Sequence, residues 1–259
     1  MATDLYVGGW DNPSQQAVFG KIDSETGAYT QISSGLGLTF DSFTGLAWDP
    51  GISAFHTLSK QGLLSTITKT GTTGSPTGGG PRGRGRLAYN TNTGQLHRLA
   101  GKDPDRTFVD VVKMSINGVD VPKNTHTEEL HRLAVKYLSL ASMGYSFNGT
   151  AFVKGKLYCT VSKRYHPEFE FRFENSGENN DSYGLFDLET ARFQEIFPDR
   201  AFQGMCLAYD GSTLFGLNDY TLYTLNPETG AYTQVAKVTG ISEGNTILNC
   251  MSAIPVSAS

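Results

Sequence analysis

The sequence is poor in charged residues and lacks several motifs on which common functions depend. Asp, Glu, Lys and Arg make up 18% of the 259 residues, below the usual quarter. No run approaches the ~18 apolar residues of a membrane span, so we expect a soluble protein with no membrane partner. The phosphate-binding pattern GxxxxGK[ST] is absent. The net charge of −4 argues against a nucleic acid partner, which selects a broad basic face.

Cysteine is also scarce. The three cysteines, Cys159, Cys206 and Cys250, are an odd number without a CxxC pair, so no disulfide framework is expected and a reducing compartment is favoured. The N-terminus shows no basic segment followed by an apolar run. We therefore predict a cytoplasmic location, with secretion left open if a signal peptide has been removed.

Glycine is abundant, at 30 residues, and it marks an internal repeat. The segment Glu25–Gln31 recurs residue for residue as Glu228–Gln234, and its Thr-Gly pair is typical of a tight turn. Weaker copies place turns at positions 27, 71, 118, 191 and 230. All but one of the steps between them fit the ~40–50 residues of a four-stranded propeller blade.

A second series of apolar segments predicts the innermost strand of each blade, and most of its copies carry an aromatic residue and a turn-forming Asp or Asn. Its copies are Leu46–Asp49, Leu87–Asn90, Leu207–Asp210, a degraded Tyr145–Asn148, and Cys250–Ile254 at the C-terminus. The N-terminal segment supplies three strands without an inner one. We therefore predict that the C-terminal strand completes the N-terminal blade and closes the ring.

The segment Leu222–Gly230, LYTLNPETG, resembles a repeat of the β-propeller superfamily. The resemblance implies the propeller architecture and points to no particular family. Together with the two repeat series, it predicts an all-β, five-bladed propeller formed by residues 1–259 as one domain. Two insertions interrupt the repeat. An amphipathic stripe over about 125–142, within 123–142, predicts a helix between blades three and four. Strict alternation of phenylalanine with charged residues predicts a projecting hairpin over 163–182.

The run Arg82, Arg84 and Arg86, spaced by glycine, is the strongest candidate site. Aligned on the innermost strands, Arg86 takes the place of Gly45, Gly144, Cys206 and Cys250, and it should face the central channel or its mouth. A guanidinium there could bind carboxylate, sulfate or phosphate. A disordered loop tip, or an arginine paired with an interior acid, would explain the run equally.

Further candidate ligand-binding residues lie in loops predicted at the same face. They combine aromatic, carboxylate and amide groups, a set suited to sugars: Trp10, Asp11, Asn12, Arg164, Tyr165, His166 and Tyr220.

No metal site or cofactor is expected. His126 and His131 are five residues apart, whereas a helical zinc pair needs four. His56 and His97 occupy equivalent strand positions, which favours a structural role. Cys206 and Cys250 should lie close together as buried thiols.

Three functions remain open. The first is a ligand-binding propeller, lectin-like or specific for an anion or acidic glycan, whose partner is a small molecule or a glycan. The second is a hydrolase or lyase at the channel mouth, with His166 or Glu168 as base and Arg86 stabilising negative charge. The third is a protein-interaction scaffold that uses the 163–182 hairpin. The sequence does not indicate the oligomeric state.

Overall fold

The computed structural model describes residues 2–34, 43–59, 63–74, 77–79, 85–100, 110–114, 145–163, 181–188 and 192–255. In these ranges the chain is all-β apart from one short 3-10 turn at Arg200–Phe202. No helix in this part of the chain is long and apolar enough to cross a membrane. The helix predicted over about 125–142 and most of the predicted 163–182 hairpin lie outside the described residues.

The described strands follow one another in short hairpins. In chain order they are β1 (Asp4–Asp11), β2 (Gln16–Asp23), β3 (Tyr29–Ser34), β4 (Gly45–Asp49), β5 (Ala54–Leu58), β6 (Leu63–Thr68), β7 (Thr77–Gly79), β8 (Gly85–Asn90), β9 (Gln95–Ala100), β10 (Asp110–Met114), β11 (Tyr145–Val153), β12 (Lys156–Lys163), β13 (Asp181–Asp187), β14 (Arg192–Pro198), β15 (Cys206–Tyr209), β16 (Leu214–Asn218), β17 (Thr221–Leu225), β18 (Tyr232–Lys237) and β19 (Thr246–Ala253).

These strands pair into separate antiparallel sheets. The first sheet has the order β19-β1-β2-β3, the second is β4–β7, the fourth is β11–β14 and the fifth is β15–β18. The third sheet has three described strands, β8, β9 and β10. The described residues therefore contain four complete four-stranded blades, where the sequence predicts five.

The sheets form a propeller-like ring. Each innermost strand contacts the next one around the ring, in the order β4, β8, β11, β15 and β19, and β19 contacts β4 again. The innermost strand β4 is buried along its whole length, whereas the outermost strand β3 is largely exposed. This gradient explains why the innermost strands are nearly continuous apolar runs.

The hydrophobic core lies between the sheets. Leu5, Val7 and Ile22 of the first sheet pack against Phe215 and Leu217 of the fifth. Each of the four remaining pairs of neighbouring sheets has a similar cluster between its members. No sheet can bury both of its faces alone, so the fold depends on the complete ring.

The repeated Thr-Gly turn packs one sheet against the sheet before it. Gly27, Gly71 and Gly230 all have positive φ, at 73°, 86° and 72°. A Cβ at Gly230 would lie 2.6 Å from the Cβ of Phe197 in β14, and one at Gly71 would lie 2.4 Å from the hydroxyl of Ser33 in β3. The repeat therefore reflects both backbone conformation and contact between sheets.

We predict that Gly230→Ala destabilises the protein more than Gly244→Ala. Gly244 also has positive φ, at 79°, but a Cβ there would meet nothing within 4 Å. Gly244→Ala should lower the free energy of unfolding by about 1 kcal/mol, through the left-handed backbone alone. Gly230→Ala should lower it by about 1–3 kcal/mol more, through overpacking. Urea denaturation of both variants measures the difference, and equal losses would contradict the packing role.

The ring closes through the two ends of the chain, as the sequence predicts. The strand β1 pairs with β19 from Leu5 opposite Ala253 to Asp11 opposite Thr246. The Thr3 hydroxyl donates to Oδ2 of Asp210 at 3.0 Å, which ties the N-terminus to the fifth sheet. Burial acts to raise the pKa of Asp210, but hydrogen bonds from Thr213, Ser212 and Thr3 outweigh it and lower that pKa below 3.8.

The lowered pKa of Asp210 predicts a loss of stability in acid. Because the folded pKa lies below the unfolded one, the carboxylate stabilises the fold fully above the ordinary value of 3.8, and that contribution disappears as the pH falls through the folded pKa. Asp210→Asn should flatten the dependence of the unfolding free energy on pH below about 4. Denaturation series between pH 2 and 7 test this, and an unchanged slope would refute it.

One predicted innermost strand is wrong in its register. The sequence aligns Tyr145–Asn148 with the other copies, but the strand pairing puts Thr150 opposite Cys159, where the second sheet has Leu46 opposite Thr57. The equivalent segment is therefore 150–153. A bulge between Phe147 and Gly149 produces the shift, and it cannot be seen in the residue pattern.

Candidate functional site

The innermost strands surround a channel whose two ends differ. At the end where these strands begin, which we call the Arg86 end, a cavity of about 10 Å³ is lined by Gly45, Arg86, Asn148, Gly149, Cys206 and Cys250, among others. At the end where they finish, the Trp48 end, a cavity of about 80 Å³ is present. A volume near 10 Å³ holds about one water, so the Arg86 end is a constriction.

Arg86 is the one long side chain at its level of the channel in the described residues. The equivalent positions, by strand pairing, are Gly45, Gly149, Cys206 and Cys250. The prediction that Arg86 faces the channel is thus in agreement with the structure, while Gly149 takes the place that the sequence alignment assigned to Gly144. A Cβ at Gly149 would lie 2.5 Å from the carbonyl oxygen of Met205, so only glycine permits this approach to the fifth sheet.

The Arg86 guanidinium is oriented by the backbone of its two neighbours. Its Nε donates to the carbonyl oxygen of Asn148 at 2.5 Å, and Nη1 donates to the carbonyl oxygen of Thr44. Thr44 directly precedes β4 and Asn148 lies in β11, so one side chain joins three sheets. Among the described residues, no carboxylate lies within ion-pair distance of this partly buried cation.

A polar chain leads away from this end through the fourth sheet. The Asn148 amide donates to the Ser162 hydroxyl at 2.7 Å, and that hydroxyl donates to Oδ1 of the buried Asp181. Sequence reasoning missed these three residues. The available signal was weak, namely polar side chains at buried positions of otherwise apolar strands.

The two channel-facing thiols lie at the same constriction, as predicted. Cys206 donates to the carbonyl oxygen of Asn249, the residue before Cys250, at 3.2 Å. Burial raises the pKa of both thiols, and the positive charge of Arg86 opposes that rise. Both are therefore neutral thiols at ordinary pH. In the part of the chain that the structure describes, no three His, Cys, Asp or Glu side chains are grouped to hold a metal ion.

The structure brings Asp11, Asn12 and Tyr220 together around residues 244–246. The Thr246 hydroxyl donates to Oδ1 of Asp11 at 2.9 Å, and the Tyr220 hydroxyl donates to the carbonyl oxygen of Thr246 at 2.6 Å. The Asn12 amide nitrogen donates to the carbonyl oxygen of Gly244 at 3.4 Å. These groups hold the loop that leads into β19.

Trp10 and Asp11, two of the predicted ligand-binding residues, make their contacts within the fold. Trp10 is buried in the cluster with Phe19 and Phe43 and lines neither of the two channel cavities. Hydrogen bonds from Ser14, and then from Thr246, lower the pKa of Asp11. The Asp11 carboxylate therefore already accepts hydrogen bonds from its own loop and from Thr246.

The remaining candidates, Arg82, Arg84, Arg164, Tyr165, His166 and Glu168, lie outside the described residues. Their predicted roles stay predictions, as do the hydrolase or lyase and the hairpin scaffold that depend on them.

The two strand histidines occupy equivalent positions, opposite Ala47 and Ala88. His56 bonds through Nε2 to Oδ2 of the buried Asp49 at 2.9 Å. The ring of His97 packs 5.0 Å from that of Phe152. Both contacts are within the packed ring.

No protein-family model matches the chain, and no curated protein matches its sequence. Similar solved structures include TolB from Acinetobacter baumannii, 10% identical with a TM-score of 0.47, covering 91% of this chain and 53% of that one. A protein of unknown function from Bacteroides caccae is 9% identical with a TM-score of 0.43, covering 98% and 99%. Virginiamycin B lyase from Staphylococcus aureus is 10% identical with a TM-score of 0.40, covering 90% and 66%.

The chain thus spans about half the length of the Acinetobacter protein and about two thirds of the lyase. At these identities and TM-scores the likeness says nothing about the site.

We predict that none of the three cysteines reacts with a thiol reagent such as DTNB at pH 8 in the native protein. All three are buried, and burial raises the pKa of each. All should react once the protein is unfolded in guanidinium chloride, as measured by absorbance. Rapid labelling of Cys206 or Cys250 in the native state would show instead that the Arg86 end opens.

Proposed function

We propose that this chain is a ligand-binding β-propeller that takes an anionic group, a carboxylate or a sulfate, at the Arg86 end of its channel. One observation carries the proposal. A partly buried guanidinium is held in place by two backbone carbonyls and, among the described residues, has no carboxylate partner.

The chemistry of the guanidinium favours an anion with two acceptor oxygens. Arginine has five N–H donors in a rigid fork, and Arg86 uses two of them on Asn148 and Thr44. The two bonds fix the plane of the fork before a ligand arrives, which lowers the entropic cost of binding. The partial burial of the charge strengthens its attraction for an anion relative to a surface arginine.

An acidic glycan is the ligand class we favour. Its sulfate or carboxylate group would pair with Arg86, and the sequence carries Arg82 and Arg84 within four residues of it. A lectin-like role in this sense depends on one asymmetric site. It does not require the repeated sites that a symmetric ring could offer.

We also infer that the third sheet is a blade, so that the propeller has five. The inference is supported by the position of β8, which contacts β4 on one side and β11 on the other. It is supported further by the packing of Leu87 and Leu96 against the second sheet, and of Ala88 and Leu99 against the fourth.

The proposal is tested with Arg86→Ala, Arg86→Lys and Arg200→Ala. Arg200 is exposed in the 3-10 turn before β15 and serves as the matched control. Each protein is applied to an array of sulfated, uronate-containing and neutral glycans, and each is titrated calorimetrically with the best-binding glycan. Because a charge-assisted hydrogen-bonded pair contributes about 1.5–3 kcal/mol, Arg86→Ala should weaken binding about 10- to 100-fold.

Arg86→Lys keeps the charge without the fork and should fall between wild type and Arg86→Ala, whereas Arg200→Ala should bind like wild type. Circular dichroism and thermal melting confirm that each variant is folded. A folded Arg86→Ala protein that binds as tightly as wild type, or a wild type that prefers neutral glycans, would overturn the proposal.

A further inference from the structure

The Trp48 end of the channel is surrounded by aromatic side chains at one register position. By strand pairing, Trp48, Tyr89, Phe152 and Tyr209 are equivalent residues of four neighbouring sheets, and Ala253 holds that place in the first sheet. All five residues line the cavity of about 80 Å³. That volume holds several waters, or a ligand of about five heavy atoms.

Aromatic rings in this arrangement favour a positively charged ligand. The face of each ring carries negative potential, so an ammonium group near it is attracted. One such contact is already present at this end, since Nζ of Lys69 lies 4.8 Å from the centroid of the Trp48 ring. The exposed Lys69 thus already places a cation beside one ring of the set, that of Trp48.

Two carboxylates near this end have the same preference. Asp49 ends β4 and Asp210 directly follows β15, each one residue beyond an aromatic member of the ring. Burial raises the pKa of Tyr89, and the charge of Asp49 raises it further. Burial and then the charge of Asp210 raise the pKa of Tyr209. The two carboxylates therefore act on the tyrosines that line the cavity.

Two hydroxyl groups of the cavity already donate their protons within the protein. The Thr150 hydroxyl donates its proton to the carbonyl oxygen of Leu87 at 3.2 Å, and the Tyr209 hydroxyl donates to that of Gly211 at 2.6 Å. No Lys, Arg or His is among the described residues that line the cavity. A neutral apolar ligand would gain nothing from the nearby carboxylates.

We propose that the Trp48 end binds a small organic cation, an alkylammonium or quaternary ammonium group, in contact with Trp48, Tyr89, Phe152 and Tyr209. This site is separate from the Arg86 end and has the opposite charge preference.

The test uses tetramethylammonium and choline as probes, and 3,3-dimethylbutan-1-ol as the neutral isostere of choline. Binding is followed by calorimetry and by tryptophan fluorescence, which should report on Trp48 because Trp48 lines this cavity and Trp10 does not. Wild type should bind choline at least about threefold more tightly than the isostere, since the cation–π contribution is lost without the charge.

Variants separate the aromatic contribution from general effects. Tyr209→Leu should weaken tetramethylammonium binding about 3- to 30-fold, and Tyr209→Phe should retain it. Tyr223→Leu is the matched control, because Tyr223 is also partly buried but packs on Tyr232 away from the channel. Arg86→Ala should not weaken this binding, whereas it should abolish or weaken anion binding, so the two sites are tested separately.

Lys69→Met provides a test that does not depend on the packing of the channel. Lys69 is exposed, and Lys69→Met removes the positive charge beside Trp48, so tetramethylammonium should bind more tightly. Equal affinity for choline and its isostere would overturn the proposal. So would wild-type affinity in folded Tyr209→Leu, weaker binding in Lys69→Met, or no saturation of wild type below 100 mM probe.

Discussion

The pairing of β1 with β19 joins residues at the two ends of the chain, and the rest of the ring depends on it. Without this pairing, the first sheet would lack its innermost strand and the channel would be open on one side. The clusters on both sides of that sheet, around Leu5 and around Phe19, would each lose Cys250 or Met251 as packing partners. Two unpaired strand edges would also face solvent. Closure therefore protects edges and completes two of the hydrophobic contacts between sheets at once.

Closure of the ring has a second consequence, because it stacks equivalent residues in layers along one axis. At the Arg86 layer the equivalent side chains are small, so one arginine can extend across the constriction and reach carbonyls on both neighbours. At the Trp48 layer the equivalent side chains are aromatic, except for Ala253. A repeated backbone thus provides the positions, and single departures from the repeat determine the chemistry of each end.

Much of the scaffold could be predicted because its signals are local and repeated. The ring closure and the tight turns at Gly27, Gly71 and Gly230, all with positive φ, follow directly from the repeats. The register of β11 could not be predicted, since a bulge adds a residue without changing the composition of the strand.

The site was predicted less completely than the scaffold, for a physical reason. That Arg86 faces the channel follows from alignment with its small equivalents. Its hydrogen-bond partners are backbone carbonyls of Thr44 and Asn148, and any residue type supplies a carbonyl. Trp10 was expected at a ligand surface because tryptophan suits sugars, but its burial depends on Phe19 and Phe43, which only the folded ring brings to it. Contacts between sheets leave no mark in the order of residues within one strand.

The two ends of the channel, with their opposite charge preferences, are close enough for charges at one end to act on charges at the other. Tyr89 lies three positions after Arg86 along β8, a distance along the backbone of about 10 Å at roughly 3.3 Å per residue. Two unit charges of opposite sign at that separation attract by roughly 1.7 kcal/mol at an effective dielectric constant near 20. A channel between protein walls contains little mobile salt to reduce this energy. An anion at the Arg86 end would therefore favour a cation at the Trp48 end, and the same coupling acts in reverse by thermodynamic linkage. Without a bound anion, the positive charge of Arg86 repels a cation at the Trp48 end and weakens its binding. A bound anion would neutralise the Arg86 charge and so strengthen cation binding at the other end of the channel.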